Sequence, residues 1–591
     1  MNPAGGGRRR LLWLAGLGAL VTALAVIGIH RASPRSFVSA HGMLHTAVVH
    51  RFASPASIVA VPPENPFFAG EPLPYYWFFH YSAARLMDLL PIHPLQAIEL
   101  LVVGAIALAW FSGAFAGRSL YGGVLPGLAI GLFTFAGANP FGAGFLGARF
   151  VLHGGEVLAD DPHYLWGIVH PVIRLARFED PFVLYGPMVN FFLNTTSRPL
   201  ALALLVFIAL ALVRYLQRGD RRWLVAVIAG AALCTAFAPI IGLSALPLLA
   251  LALWAAPVAP LGAGAKREGQ AREHDRLQGS IDGSTEGDAV EPDRRRWLVA
   301  AVGVSAGVAL ALPTWWHLLG LTGGGTVTIG PSFRVATAAV ASAGLLGAMA
   351  IFATWRARGF RRRFMAALLG TAAALIAASI IVRLPVSNDS NFFHAGVVLL
   401  GVPAAGVFAP ALGWRPRRRW IPTALLLFVF LPTPLVVLAS YVGRPAVPLS
   451  LDGPVVRRVP ETDPRVRVYG WIRDETPADA VFITDPRPPL VTAVGNFPEL
   501  PALTERFLFT TRGTNYVVSP NADAAVRERI ATRLVDGRRL DAQEEAYLDA
   551  MGRPIYLIRQ VAEGEEAAPP DDGAPGPEAF RTGGIRVYAV R

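Results

Sequence analysis

Long apolar runs separated by arginine-rich breaks dominate the pattern of this 591-residue chain. Each run has the ~18–22 residues that a helix needs to cross the hydrocarbon core of a bilayer. The pattern predicts an α-helical polytopic membrane protein with about eleven transmembrane helices. The predicted spans lie at about 11–29, 96–117, 120–138, 198–214, 222–238, 240–257, 297–315, 335–355, 364–382, 395–413 and 420–442.

The arginine-rich breaks predict the orientation of these spans, because short loops rich in Lys and Arg stay in the cytoplasm. Arg8, Arg9 and Arg10 place the N-terminus there. A cleaved signal peptide is the alternative for the first span, but that run exceeds the usual ~7–15 residues, which favours a retained anchor. The predicted location is a bacterial inner membrane, with the basic breaks on its cytoplasmic side at Arg118, 214–222, 258–296, 356–363 and 415–419.

Three polar loops and a long tail complete the organisation. Loops 30–95 and 139–197 are predicted to lie outside, whereas 258–296 is Gly-rich, has no apolar periodicity and is predicted to be a disordered cytoplasmic loop. Residues 1–443 would form the transmembrane domain and 444–591 an extracytoplasmic domain. Because short β-branched runs alternate with amphipathic helices in this tail, we expect a C-terminal α/β accessory domain with a mainly parallel sheet.

Composition excludes several classes of protein. The net charge is +12, but the arginines are concentrated in short loops, which signals membrane orientation and no nucleic-acid partner. One cysteine, Cys234, allows no disulfide within the chain. The predicted spans are nearly free of ionisable groups, with Glu99, His317 and Arg383 near their ends. This argues against an ion-coupled transporter, which usually carries charged residues at mid-membrane.

Two histidines have the spacing of a metal site. His41 and His45 are four residues apart in 37–52, which has an amphipathic helical pattern. That spacing puts both imidazoles on one helical face, as a divalent metal ion requires. No third ligand is fixed by spacing, so hydrogen-bonding histidines are the alternative, and a divalent metal ion stays a candidate cofactor.

The first outer loop contains Asn65-Pro66, Gly70, Pro72-Leu73, Tyr75-Tyr76 and His80 within NPFFAGEPLPYYWFFH. Together with 191–202, 383–393 and 469–484, this arrangement resembles the GT-C class of polytopic glycosyltransferases, which take sugars from polyprenyl-phosphate donors. The resemblance implies a GT-C-like fold whose partners are the membrane and a polyprenyl-phosphate-linked sugar. Tyr75, Tyr76 and His80 would then belong to the substrate site, and an interfacial aromatic belt is the alternative for this run.

A sugar transferase of this kind needs a base for the acceptor hydroxyl and cations for the departing phosphate. GT-C transferases usually place an acidic residue shortly after the first span, but here no carboxylate occurs between Ile29 and Glu64. The base would therefore be His41, Glu64, or the pair Asp160 and Asp161. The candidate phosphate partners are Arg85, Arg174, Arg177 and Arg383.

Three hypotheses about function follow from these residues. The first is a membrane glycosyltransferase that moves a sugar from a polyprenyl-phosphate donor to an acceptor on the outer face. The second is a non-catalytic GT-C-derived protein that binds or organises lipid-linked glycan, with a transporter as a weaker third. The sugar, the acceptor and the oligomeric state do not follow from the sequence.

Overall fold

The computed structural model describes residues 3–32, 42–53, 62–137, 188–193, 196–258, 292–321, 327–384, 390–409, single positions between 424 and 438, 462–486, 498–511, 523–560 and 576–591. Helices form its first part: α1 (Pro3–Ala32), α2 (Gly42–Ala53), α3 (Phe78–Leu89), α4 (Pro94–Tyr121), α5 (Val124–Ala136), α6 (Val189–Leu193), α7 (Arg198–Arg218), α8 (Arg221–Phe237), α9 (Pro239–Ala255), α10 (Arg294–Leu310), α11 (Leu312–Leu321), α12 (Phe333–Arg356), α13 (Gly359–Ile381) and α14 (Ser390–Ala404).

Five helical segments of the described residues are long and apolar enough to cross a membrane. They are Arg9–Arg31, Pro94–Tyr121, Arg198–Arg218, Gly359–Ile381 and Ser390–Phe408, and a sixth results if α10 and the start of α11 form one bent span. The shorter apolar helices are Val124–Ala136 and Pro239–Ala255. A mostly helical membrane protein is therefore confirmed, whereas the predicted count of about eleven spans stays a prediction.

Glycines allow α4 and α5 to pack backbone against backbone. Gly113 and Gly117 lie one helical turn apart on α4, and they face Gly127 and Gly131 on α5. A Cβ on Gly113 would be 2.9 Å from the backbone nitrogen of Gly131, and a Cβ on Gly117 would overlap the backbone of Gly127. Small residues at such spacing let membrane helices approach closely. The turn between the two helices uses Gly122 in the left-handed region (φ 70°).

The tail contains helices and one five-stranded sheet. The helices are α15 (Pro464–Glu475), α16 (Leu500–Thr504), α17 (Ala524–Val535) and α18 (Ala542–Asp549). A two-stranded sheet, β1 (Thr328–Ile329) with β2 (Val382–Arg383), lies earlier in the chain. The tail strands are β3 (Val481–Ile483), β4 (Phe507–Leu508), β5 (Ile555–Gln560), β6 (Glu578–Thr582) and β7 (Ile585–Ala589), in the spatial order β4-β3-β5-β7-β6.

The sheet is mixed, so the prediction of a mainly parallel sheet was wrong for its second half. Strand β3 is parallel to β4 and β5, whereas β7 is antiparallel to β5 and β6. For β6 and β7 the reason is their connection, which is the dipeptide at 583–584, with Gly583 in the left-handed region. Two residues close an antiparallel hairpin, but a parallel pair needs a crossover of about a dozen residues or more.

Part of the first loop is docked on the free edge of β4. The N–H of Leu508 donates to the Pro66 carbonyl and the N–H of Ala69 donates to the Leu508 carbonyl, each at 2.9 Å. Helix α2 packs against α16, and its Arg51 guanidinium lies 4.3 Å from the ring centre of Phe507. The tail and the first loop are therefore joined by backbone hydrogen bonds as well as by side chains.

Candidate functional site

Aromatic and imidazole side chains converge where α2, α3 and the segment 62–77 meet. The rings of Tyr75 and Tyr76 stack with centres 4.0 Å apart, and their hydroxyls are 2.7 Å apart. The Tyr75 ring also lies beside the imidazoles of His80, at 5.8 Å, and His45, at 6.3 Å. Tyr75, Tyr76 and His80, which the resemblance placed at the substrate site, are thus neighbours in the structure.

His45 and His80 form a buried pair, with Nδ1 of His45 2.7 Å from Nε2 of His80. Burial lowers the pKa of His80 to about 3, so this ring is neutral at physiological pH. The two nitrogens are at hydrogen-bond distance, whereas two imidazoles on one zinc ion, each ~2.0–2.1 Å from it, would stand farther apart. No group of three possible metal ligands occurs in the described residues. His45 and His80 therefore fit a hydrogen-bonded pair rather than a metal centre.

Glu64, the first candidate base, is bound to the tail. Its two carboxylate oxygens accept hydrogen bonds from Nη1 and Nη2 of Arg553, at 2.5 and 3.0 Å. Its Oε1 also accepts the backbone N–H of Gly70 at 2.7 Å. These contacts occupy much of the hydrogen-bonding capacity that a base would offer to an acceptor hydroxyl. They give Glu64 a role in docking the first loop.

Two of the predicted phosphate partners, Arg85 and Arg383, contact other groups of the protein. Arg85 pairs with Asp88 at 2.7 Å and donates to the Phe52 carbonyl. Arg383 donates to backbone carbonyls at the end of α13, including that of Ser379 at 2.7 Å. Five predicted residues lie outside the described part of the chain: His41, Asp160, Asp161, Arg174 and Arg177.

Sequence reasoning missed a cluster between the end of α1 and the start of α4, in which His30 and Glu99 are buried and Arg31 is 39% exposed. Nδ1 of His30 is 2.9 Å from Oε1 of Glu99, and Nη2 of Arg31 is 2.9 Å from the other carboxylate oxygen. Nε2 of His30 donates to the Leu193 carbonyl of α6 at 3.1 Å. The signal in the sequence was Glu99, an acidic residue near the end of an apolar span. Acidic residues in such spans are rare, so each is expected to have a polar or charged partner. Its partners come from residues 68 and 69 positions away, which spacing does not reveal.

A double-mutant cycle tests the docking role of Glu64. We expect Glu64→Gln and Arg553→Gln, measured singly and together, to show a coupling of ~1–2 kcal/mol, because the pair is bidentate and both side chains are 26% exposed. The measurement is thermal unfolding of the protein in nanodiscs. The exposed pair Arg473 and Asp474 is the matched control, for which we expect a coupling near zero. Strictly additive effects at positions 64 and 553 would contradict the assignment.

Comparison with solved structures identifies a related architecture. The arabinofuranosyltransferase AftD from Mycobacteria has a TM-score of 0.51 and 16% identity, over 98% of this chain and 40% of AftD. This chain therefore spans less than half the length of AftD. ArnT from Cupriavidus metallidurans, solved with bound undecaprenyl phosphate, has a TM-score of 0.49 and 13% identity over 98% of both chains. An oligosaccharyltransferase from Archaeoglobus fulgidus has a TM-score of 0.47 and 10% identity, over 93% of this chain and 69% of that protein.

No family model matches the sequence, and no curated protein matches it. At 16% identity, the match to AftD is evidence for fold alone, and it extends over 98% of this chain. It confirms the GT-C-like fold that the resemblance implied. The protein has a GT-C-like membrane fold.

Proposed function

We propose that the protein is a membrane glycosyltransferase that transfers a sugar from a polyprenyl-phosphate donor to an acceptor on the outer face of the bacterial inner membrane. The observation that carries the proposal is the GT-C-like fold over nearly the whole chain. The tyrosine pair and the buried imidazoles add the kind of surface on which a sugar ring could bind.

Among the candidate bases, the proposal favours Asp160 and Asp161, because Glu64 is held by Arg553 and Gly70. A carboxylate there would accept the proton of the acceptor hydroxyl as the bond to the sugar forms. Outer arginines, with Arg174 and Arg177 as candidates, would stabilise the charge on the departing polyprenyl phosphate. His41 stays the alternative base at the place where other GT-C enzymes have an acid.

A deletion strain tests the proposal. We expect loss of one glycoconjugate from the envelope, restored by the wild-type gene but not by a double Asp160→Asn and Asp161→Asn variant, because general-base catalysis contributes ~10²–10⁴-fold in rate. Glu64→Gln should restore most of the glycoconjugate. The measurement is a profile of extracted glycolipids and glycans, with the amount of each variant in membranes as the control.

An unchanged glycan profile in the deletion strain would argue against catalysis. It would favour the hypothesis of a non-catalytic protein that binds or organises lipid-linked glycan. Uptake of a labelled sugar into proteoliposomes containing the pure protein would favour a transporter instead. The two outcomes are distinguishable, because uptake is measured in sealed proteoliposomes and the glycan profile is measured on extracts of the deletion strain.

A further inference from the structure

In His317 on α11, one ring nitrogen is hydrogen-bonded to the protein, and the other has no hydrogen-bond partner among the described residues. Its Nε2 is 3.2 Å from the backbone carbonyl oxygen of Tyr75. A carbonyl oxygen accepts hydrogen bonds and cannot donate them, so Nε2 carries the hydrogen. In the neutral ring, Nδ1 then has a lone pair and no hydrogen. This nitrogen is buried and makes no hydrogen bond to the described residues.

An unpartnered buried acceptor is unusual, since nearly all such atoms in native proteins are hydrogen-bonded. The position of His317 adds a second reason to expect a ligand. Helix α11 follows α10 after a break at Ala311, and the two segments are bent by 54°. Broken helices at membrane depth occur where the backbone lines a cavity or is covered by protein.

The residue that His317 contacts carries an aromatic surface. Tyr75 stacks on Tyr76, and its ring is flanked by the buried pair of His45 and His80. The backbone of Tyr75 is therefore held by α11 while its ring is held by α2 and α3. An aromatic face packs against the apolar face of a sugar ring, and hydroxyl and imidazole groups fix the orientation of the sugar hydroxyls.

We propose that His317, Tyr75 and Tyr76 form a sugar-binding site in which a sugar hydroxyl donates its hydrogen to Nδ1 of His317. The inference rests on the proposed glycosyltransferase function, because the ring would belong either to the lipid-linked donor or to the acceptor. The chemistry is the same for both sources: a neutral, polyhydroxylated ring that stacks on one face and donates one hydrogen bond.

Two substitutions at position 317 separate binding by Nδ1 from the structural contact made by Nε2. In His317→Gln the side-chain amide nitrogen takes the place of Nε2, so the bond to Tyr75 is kept and the Nδ1 acceptor is lost. In His317→Asn the amide oxygen takes the place of Nδ1, so the acceptor is kept and the bond to Tyr75 is lost. If His317 is purely structural, His317→Gln should preserve sugar binding. If Nδ1 of His317 binds the sugar, His317→Asn should preserve sugar binding instead.

The measurement is saturation-transfer difference NMR on the full-length protein in nanodiscs. The probes are methyl α-D-glucopyranoside, methyl α-D-mannopyranoside and methyl α-D-arabinofuranoside, and the undecaprenyl-phosphate-linked forms of the same sugars. Undecaprenyl phosphate without sugar is the reference. Binding of a methyl glycoside would assign the site to the acceptor, and binding of only the lipid-linked forms would assign it to the donor.

We expect His317→Gln to weaken binding of the recognised sugar roughly tenfold, and His317→Asn to weaken it no more than about threefold. The matched control is His93, whose Nδ1 accepts the N–H of Leu95 at the start of α4. His93→Asn should leave sugar binding unchanged.

Equal binding by both His317 variants, or weaker binding by the Asn variant, would overturn the inference, as would binding of no sugar by the wild-type protein. The glycan profile of the deletion strain is scored separately. Sugar binding that depends on Nδ1 with an unchanged glycan profile would reject the proposed enzyme activity and leave the binding site standing.

Discussion

Replacing Gly117 by leucine should prevent α4 and α5 from packing and lower the free energy of unfolding by at least about 3 kcal/mol. A Cβ at this position would overlap the backbone nitrogen and Cα of Gly127. A flexible side chain could move away, but the backbone of a neighbouring helix moves only if the whole interface opens. The loss should appear as a lower yield of monodisperse protein and a lower melting temperature in nanodiscs.

The same helix offers a matched control. Gly104 is exposed on α4, and a Cβ there would have no heavy atom within 4 Å. Gly104→Leu therefore adds the same side chain to the same helix on a face without a described neighbour. We expect this variant to melt within a few degrees of the wild-type protein. If Gly117→Leu melts at the same temperature as Gly104→Leu, the close α4–α5 contact is wrong.

Removing the Glu99 carboxylate should cost ~3–5 kcal/mol of stability, because it leaves a buried imidazole and a guanidinium without their shared partner. The Glu99 side chain is 7% exposed and that of His30 is fully buried, so water cannot replace the lost contacts easily. Glu99→Leu should show the full loss. Glu99→Gln should lose about 1–2 kcal/mol, because its amide still offers a donor and an acceptor to His30 and Arg31.

Thermal unfolding in nanodiscs measures both Glu99 variants. Asp88→Asn is the control, since Asp88 pairs with Arg85 but is 46% exposed, and exposed pairs contribute ~0–1 kcal/mol. A triple variant that also carries His30→Leu and Arg31→Met should recover only part of the stability, because no unpaired imidazole or guanidinium then remains but the Leu193 carbonyl loses its donor. A Glu99→Leu protein as stable as Asp88→Asn would contradict the buried cluster.

The sequence predicted the local structure of this protein well, because apolar periodicity and helix-capping residues act over short distances. The helix at Pro464–Glu475 begins at Asp463, whose carboxylate accepts the N–H of Arg465, and that pattern is visible in the sequence. The long helices Pro94–Tyr121 and Arg198–Arg218 follow their apolar runs in the same way. The mixed sheet was missed because strand direction depends on connection length rather than on the strand residues themselves.

The candidate site was less predictable, since its contacts join distant parts of the chain. Glu64 has the residue type and location of a catalytic base, and only its distance to Arg553 reveals the docking contact. In the sequence, His317 is only an ionisable residue near the end of a predicted span. Its contact with Tyr75 joins positions 242 residues apart. Residue type and spacing identify side chains such as Glu64 and His317 as candidates. The role of each depends on which atom of a distant residue it contacts.

The docking of the first loop on β4 also has a consequence for biosynthesis. Glu64 and Arg553 are 489 residues apart, so at ~5–20 residues per second the loop leaves the ribosome roughly 25–100 s before its partner exists. During that interval, Pro66 and Ala69 lack the strand to which they hydrogen-bond in the finished protein. The first loop can therefore reach its final structure only after the tail has been made. A nonsense mutation late in the gene would affect the first loop as well as the missing tail.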